Sequence, residues 1–197
     1  ILPGDGGLRP ESLLRIADLS APAQAEGAES FQDALSLTWL ADSQAVRLPA
    51  LTLGSRSSGQ GAATVFALLD RTLAGAAMLS RDALANWPLA LERPPGHVWG
   101  WWRHLPAGEQ LATSPRWLQH QVVLATEARI PQPGCAPLQW QSRLYRLPWR
   151  VAGDGAEAGA EVKTLAPSAQ PLSSSPVLTG SGVLGWVGQE GAELTLP

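Results

Sequence analysis

Three groups of residues in this chain have types and spacings that could do chemistry. The first is Ser55, Arg56, Ser57, Ser58, Gly59 and Gly61, which follow the apolar triplet Leu51-Thr52-Leu53 and precede a long apolar-rich stretch. If that stretch is a helix, its free backbone N–H groups, the serine hydroxyls and Arg56 would suit a phosphate or carboxylate. The loop is neither a P-loop nor a dinucleotide-binding glycine fingerprint, because no Gly-Lys-Ser/Thr and no Gly-x-Gly-x-x-Gly stands there. No Gly-x-Ser-x-Gly nucleophile elbow can be laid over it either. A plain connector also needs only glycine and serine, and that is the simpler reading.

The second group is Gly96-His97-Val98-Trp99-Gly100-Trp101-Trp102-Arg103-His104. On a strand, Trp99 and Trp101 would share one face and Val98 and Trp102 the other. Exposed indoles beside Arg103 would make a hot spot for a protein partner. They could also stack on sugars or bases. The competing reading buries all three tryptophans, since aromatic side chains remove large areas from water. His97 and His104 are the first candidates for a general base if the protein is an enzyme. The third group is Arg143 and Arg146 with Tyr145 and Trp149, where arginines alternating along a strand are the bland alternative.

Metal and cofactor chemistry finds no support. The three histidines show no i, i+4 pair, and Cys135 is the only cysteine. Cys135 stands in a Pro/Gly turn, without a histidine close in sequence to lower its pKa, and reads as a bystander. No cofactor is expected.

The elements that must position these groups follow from hydrophobic periodicity. Pro10 to Leu19 reads as a short helix. Leu35 to Trp39 alternates apolar and polar and pairs as a hairpin with Val46-Arg47-Leu48, with Pro49 breaking the second strand. Residues 61–80, with Val65, Phe66, Leu68, Leu69, Leu73 and Met78, predict the principal packed helix. Ser80 starts a short turn that ends at Pro88. Ser114-Pro115 predicts a helical turn, followed by a strand over about 120–130. That strand pairs with Leu138 to Arg146 across the Pro/Gly turn. The predicted class is α+β, with a mainly antiparallel sheet. Residues 1–151 form the main domain and 152–175 a flexible loop or linker, poor in large apolar groups. Residues 176–197 form a C-terminal β-meander.

Composition limits what this architecture can serve. The chain has 197 residues, 45% of them apolar and 16% charged, the balance of a soluble globular protein. No apolar run approaches the ~20 residues that span a bilayer. Thirteen arginines against one lysine, with abundant Ala, Gly, Pro and Trp, suggest a bacterial source. The cytoplasm is favoured slightly over the periplasm. Charge is uneven: −3 over residues 1–80, +4 over 81–150 and −4 over 151–197, giving the net −3. Seven of the nine tryptophans also fall in the basic middle. An acidic chain with one lysine lacks the footprint of a nucleic-acid binder.

The expected function is therefore a non-catalytic protein-interaction or assembly module, one component of a larger complex. Its contact residues would be Trp99, Trp101, Trp102, Arg103, Arg143 and Arg146. The alternatives are a hydrolase or transferase that holds a small anionic or acyl substrate at the 54–61 loop, and a carbohydrate- or nucleic-acid-binding module.

Overall fold

A computed structural model describes residues 17–18, 29–31, 35–41, 47–57, 62–70, 79–87, 99–118, 120–134, 137–149, 161–172, 177–178, 183–185 and 193–195. Among these residues the protein is built from strands, and the only helical element is one 3-10 turn, Arg81–Ala83. The predicted α+β class is thereby corrected to all-β. The predicted 61–80 helix is a strand over Thr64–Leu69, and all six of its residues are buried. A strand covered on both faces needs apolar side chains at consecutive positions, so its sequence loses the period of two and imitates a buried helix. Residues 71–78 lie outside the described residues.

In chain order the strands are β1 (Ala17–Asp18), β2 (Glu29–Ser30), β3 (Ser36–Ala41), β4 (Arg47–Ser57), β5 (Thr64–Leu69), β6 (Leu79–Ser80), β7 (Ala85–Asn86) and β8 (Gly100–His104). They continue with β9 (Gln110–Leu111), β10 (Arg116–Leu118), β11 (Gln121–Ile130), β12 (Gln139–Pro148) and β13 (Glu161–Thr164). The last three are β14 (Val177–Leu178), β15 (Val183–Gly185) and β16 (Glu193–Thr195), which pair antiparallel in that order.

The first large sheet has the order β2-β4-β5-β8-β7, with β3 paired to β4 beside β2. The second has the order β10-β11-β12-β13, with β9 also on β11. The hairpin of β3 and β4 aligns Trp39 with Pro49, and β4 runs straight through that proline. In place of the expected break, the Pro49 carbonyl accepts the Asp70 N–H at 2.7 Å. The β11–β12 hairpin aligns Gln121 with Pro148 and Ile130 with Gln139. The helical turn predicted at Ser114-Pro115 is instead the strand β10, which reverses into β11 at His120, whose φ is +63°. Ala17–Asp18, within the predicted N-terminal helix, pairs parallel with β6. The rest of that helix lies outside the described residues. Within 152–175, expected as a loop, β13 pairs with β12, and Leu165 and Leu172 are buried.

The principal core lies between the two large sheets. Leu48, Ala50, Val65, Ala67, Leu69 and Trp101 from the first meet Leu111, Trp117, Val122, Leu124, Tyr145 and Leu147 from the second. Four indoles run through it: Trp87 to Trp101 at 6.4 Å between ring centroids, Trp101 to Trp149 at 6.5 Å, and Trp149 to Trp117 at 5.7 Å. Gly54 is where β4 crosses the second sheet, since a Cβ there would run into Leu111. A second cluster covers the outer face of the first sheet, with Leu51, Phe66, Leu68, Leu79 and Leu84. The first sheet is therefore apolar on both faces.

Candidate functional site

The residues predicted to form one contact surface are dispersed. Trp101 is fully buried between the sheets. Trp99 and Trp102 pack together on the opposite side, against the Phe66 cluster. The predicted pairing of Trp99 with Trp101 fails at Gly100, whose φ is +157°. A Cβ there would strike the Ala67 carbonyl and stand 2.8 Å from Leu68 Cα. Only glycine lets β8 approach β5 this closely, and the unusual backbone there breaks the simple alternation of faces. Arg146 lies on the outer face of the second sheet and pairs with Glu161 at 2.7 Å.

Arg103 and Arg143, by contrast, are brought together at one end of the interior. The Arg103 guanidinium lies 4.5 Å from the Trp87 ring centroid and 5.7 Å from that of Tyr145, a pair of cation–π contacts. Arg143 pairs with Glu109, whose side chain is 3% exposed against 35% for the arginine. Glu109 Oε2 accepts the Thr126 hydroxyl at 2.7 Å and the Tyr145 hydroxyl at 2.8 Å. The local sequence explains how the carboxylate gets there. Glu109 N–H donates to Pro106 O at 3.0 Å, closing a turn in which Gly108 has φ +81°. Glycine takes the position of that turn that needs positive φ, and the chain delivers Glu109 inward just before β9. Burial pushes the Tyr145 phenol above its usual value, although Arg143 and Arg103 pull it down. The tyrosine is thus held neutral, as a donor. Two hydroxyls on one oxygen and an arginine beside the other tie this carboxylate to the second sheet as a buried clasp.

The anion loop loses its physical basis, because no helix N-terminus follows it. Ser55 is buried on β4, and its Oγ accepts the Thr64 N–H at 3.2 Å. Arg56 and Ser57 belong to β4 and pair with β2. Ser58, Gly59 and Gly61 lie outside the described residues, as do His97 and Cys135. His104 is exposed, with Nδ1 2.9 Å from Thr64 Oγ1 and its ring 4.7 Å from that of Trp102. Among the described residues no group of histidine, cysteine and carboxylate side chains could hold a metal ion. No helix among them is long and apolar enough to cross a membrane.

One surface that the residue types did not reveal is laid bare at β3. Leu35, Leu37 and Trp39 are 55%, 53% and 54% exposed, while Leu40 beside them is buried. Their cross-strand neighbours give the face. Leu37 is opposite Leu51, and Trp39 is opposite Pro49. Leu51 belongs to the outer cluster of the first sheet. The outer face is therefore covered over Leu51, Phe66 and Leu68 and open over the β3 row. Phe31, 42% exposed, lies 5.8 Å from the Phe66 ring at the covered part. The alternation of Leu35, Leu37 and Trp39 was legible in the sequence, but not that their side was the uncovered one.

Comparison with known proteins finds no matching family model, no matching curated protein and no matching solved structure.

Proposed function

We propose that this chain is a non-catalytic protein-interaction or assembly module, and that it meets its partner through the outer face of β3. The observation that carries this reading is the row Leu35, Leu37 and Trp39, three large apolar side chains in register and each more than half exposed. Scattered exposed apolar residues need no explanation, but a contiguous row on a sheet face marks a contact. A tryptophan at its end adds a rigid anchor of the type that dominates interface energies. The tryptophan-rich segment 99–102 instead serves the fold, since Trp101 is buried and Trp99 and Trp102 are packed.

The test is affinity purification from native-host extract, comparing wild type with the Leu37→Asp/Trp39→Asp variant. Both positions are exposed, so the variant should keep its thermal midpoint and far-UV circular dichroism, with a stability change within ~0.5 kcal/mol. A partner that copurifies with wild type and is lost from the folded variant supports the reading. A partner retained by the variant moves the contact elsewhere. Trp101→Ala is no substitute, because emptying this core site should cost about 3–5 kcal/mol.

A further inference from the structure

We propose that this chain pairs with a second copy of itself, edge to edge through β13, in one register centred on Val162. β13 ends the order of the second sheet, and among the described residues no strand pairs with its far side. The other end of that sheet, β10, is tied to β3 by the Trp117 N–H, which donates to Ser36 Oγ at 3.2 Å. In the first sheet β7 is two residues long, and Trp87 just after it donates through Nε1 to Pro148 O of β12 at 3.3 Å. β13 is left as an edge, with Val162 44% exposed and Lys163 and Thr164 exposed beside it. Such an edge is a template for another strand.

The β12–β13 register decides which backbone groups look outward. Leu165 N–H donates to Ser142 O at 2.9 Å, and the register runs from there through Lys163 opposite Leu144 to Glu161 opposite Arg146. In an antiparallel ladder, hydrogen-bonded pairs alternate with non-bonded ones. Lys163 and Glu161 therefore direct their N–H and C=O groups at β12, while Val162 and Thr164 direct theirs away from it. A second copy related by a two-fold axis can meet those outward groups in few registers. With Val162 opposite Val162, the two valines exchange both bonds, and Lys163 of each copy stands opposite Glu161 of the other. One step along, Val162 meets Thr164 and the two Lys163 ammonium groups meet each other. Opposite charges across strands stabilise a pair and like charges destabilise it, so charge selects the first register. The only lysine of the chain thus opposes the neighbouring register and fits the self-complementary one.

Both charged groups have room for this contact. Glu161 gives Oε2 to Arg146 at 2.7 Å and keeps its other oxygen for the ammonium of the second copy. An ammonium carries three donors, so Lys163 can take that carboxylate alongside a contact within its own chain. Four residues a side fall short of the ~1,200 Å² of a standard interface, so the dimer is of the weak, concentration-dependent kind. β13 lies in the second sheet and the Leu35, Leu37 and Trp39 row in the first, so the two contacts are independent.

Sedimentation equilibrium of the full chain at roughly 5–500 μM, the range of weak association, is the test. Wild type should show a monomer–dimer equilibrium. Val162→Pro removes an outward N–H without touching the β12 ladder and should abolish the dimer. Glu161→Lys and Lys163→Glu each place like charges opposite one another twice, and each should weaken the dimer about tenfold. Mixed together, these two variants bring opposite charges into register at both positions, and a heterodimer close to wild-type affinity should form. Circular dichroism and thermal melting establish that each variant is folded. Wild type that stays monomeric over the whole range would overturn the proposal and leave the edge to a strand of another protein. A dimer that survives Val162→Pro, or charge variants that fail to complement each other when mixed, would overturn it too.

Discussion

Replacing Glu109 by leucine tests the buried clasp between the second sheet and the β8–β9 turn. In the wild type its carboxylate takes the Thr126 and Tyr145 hydroxyls at 2.7 and 2.8 Å and pairs with Arg143. Thr126 and Tyr145 are 0% and 2% exposed, so neither hydroxyl can turn to water once its acceptor is gone. Each stranded donor costs about 1–3 kcal/mol. Arg143 is 35% exposed and can swing outward, so the lost ion pair adds little beyond them. The sum is about 2–6 kcal/mol, a large share of the ~5–15 kcal/mol that holds a domain together. Urea unfolding followed by tryptophan fluorescence reads this directly. With a slope of about 2 kcal/mol/M, the midpoint should fall by about 2 M. A second substitution isolates the cause. Tyr145→Phe alone should cost about 1 kcal/mol, but in the Glu109→Leu background it should cost nothing or restore stability, because it removes a stranded hydroxyl. A loss under about 1 kcal/mol for Glu109→Leu, or additive costs in the double variant, would refute the closed clasp.

Two further outcomes follow from the same geometry. Tyr145 is the only tyrosine in the chain, so phenolate absorbance titrates it without interference, and its midpoint should lie above the ordinary 10.0. Because the folded form resists ionisation more than the unfolded form, stability should be flat below pH ~10 and fall above it. A midpoint at or below the ordinary value would show that Arg143 and Arg103 outweigh burial at the phenol. Gly100→Ala should be far more damaging than Gly54→Ala. The first puts a methyl group against the backbone of Ala67 and Leu68, the second against the movable Leu111 side chain. Thermal melts of the two variants rank them, and an equal loss would refute the close approach of β8 to β5.

Much of the local pairing was legible without a structure. Alternation marked the β3–β4 hairpin, and alternation with a Pro/Gly turn marked β11 and β12, because period two is a property of the strand itself. The error at Thr64–Leu69 has a definite cause. Thr-Val-Phe-Ala-Leu-Leu carries no period when Val65, Ala67 and Leu69 face one core and Phe66 and Leu68 another. A continuous apolar run is compatible with a buried strand or a buried helix, and only the presence of covering layers on both sides separates them.

The candidate site divides in the same way. Residue types singled out Arg103, Arg143 and Tyr145 but not the Glu109 and Thr126 that join them, since these come from the β8–β9 turn and β11. Tryptophan content pointed to 99–102, yet among the described residues the exposed tryptophan is Trp39. By itself the sequence determined where strands alternate, where charge accumulates and that no recognisable cofactor or metal motif is present. Only the tertiary structure decided which face of each strand is covered, because burial is set by elements distant in the chain, and with it which aromatic residues hold the core and which remain open to a partner.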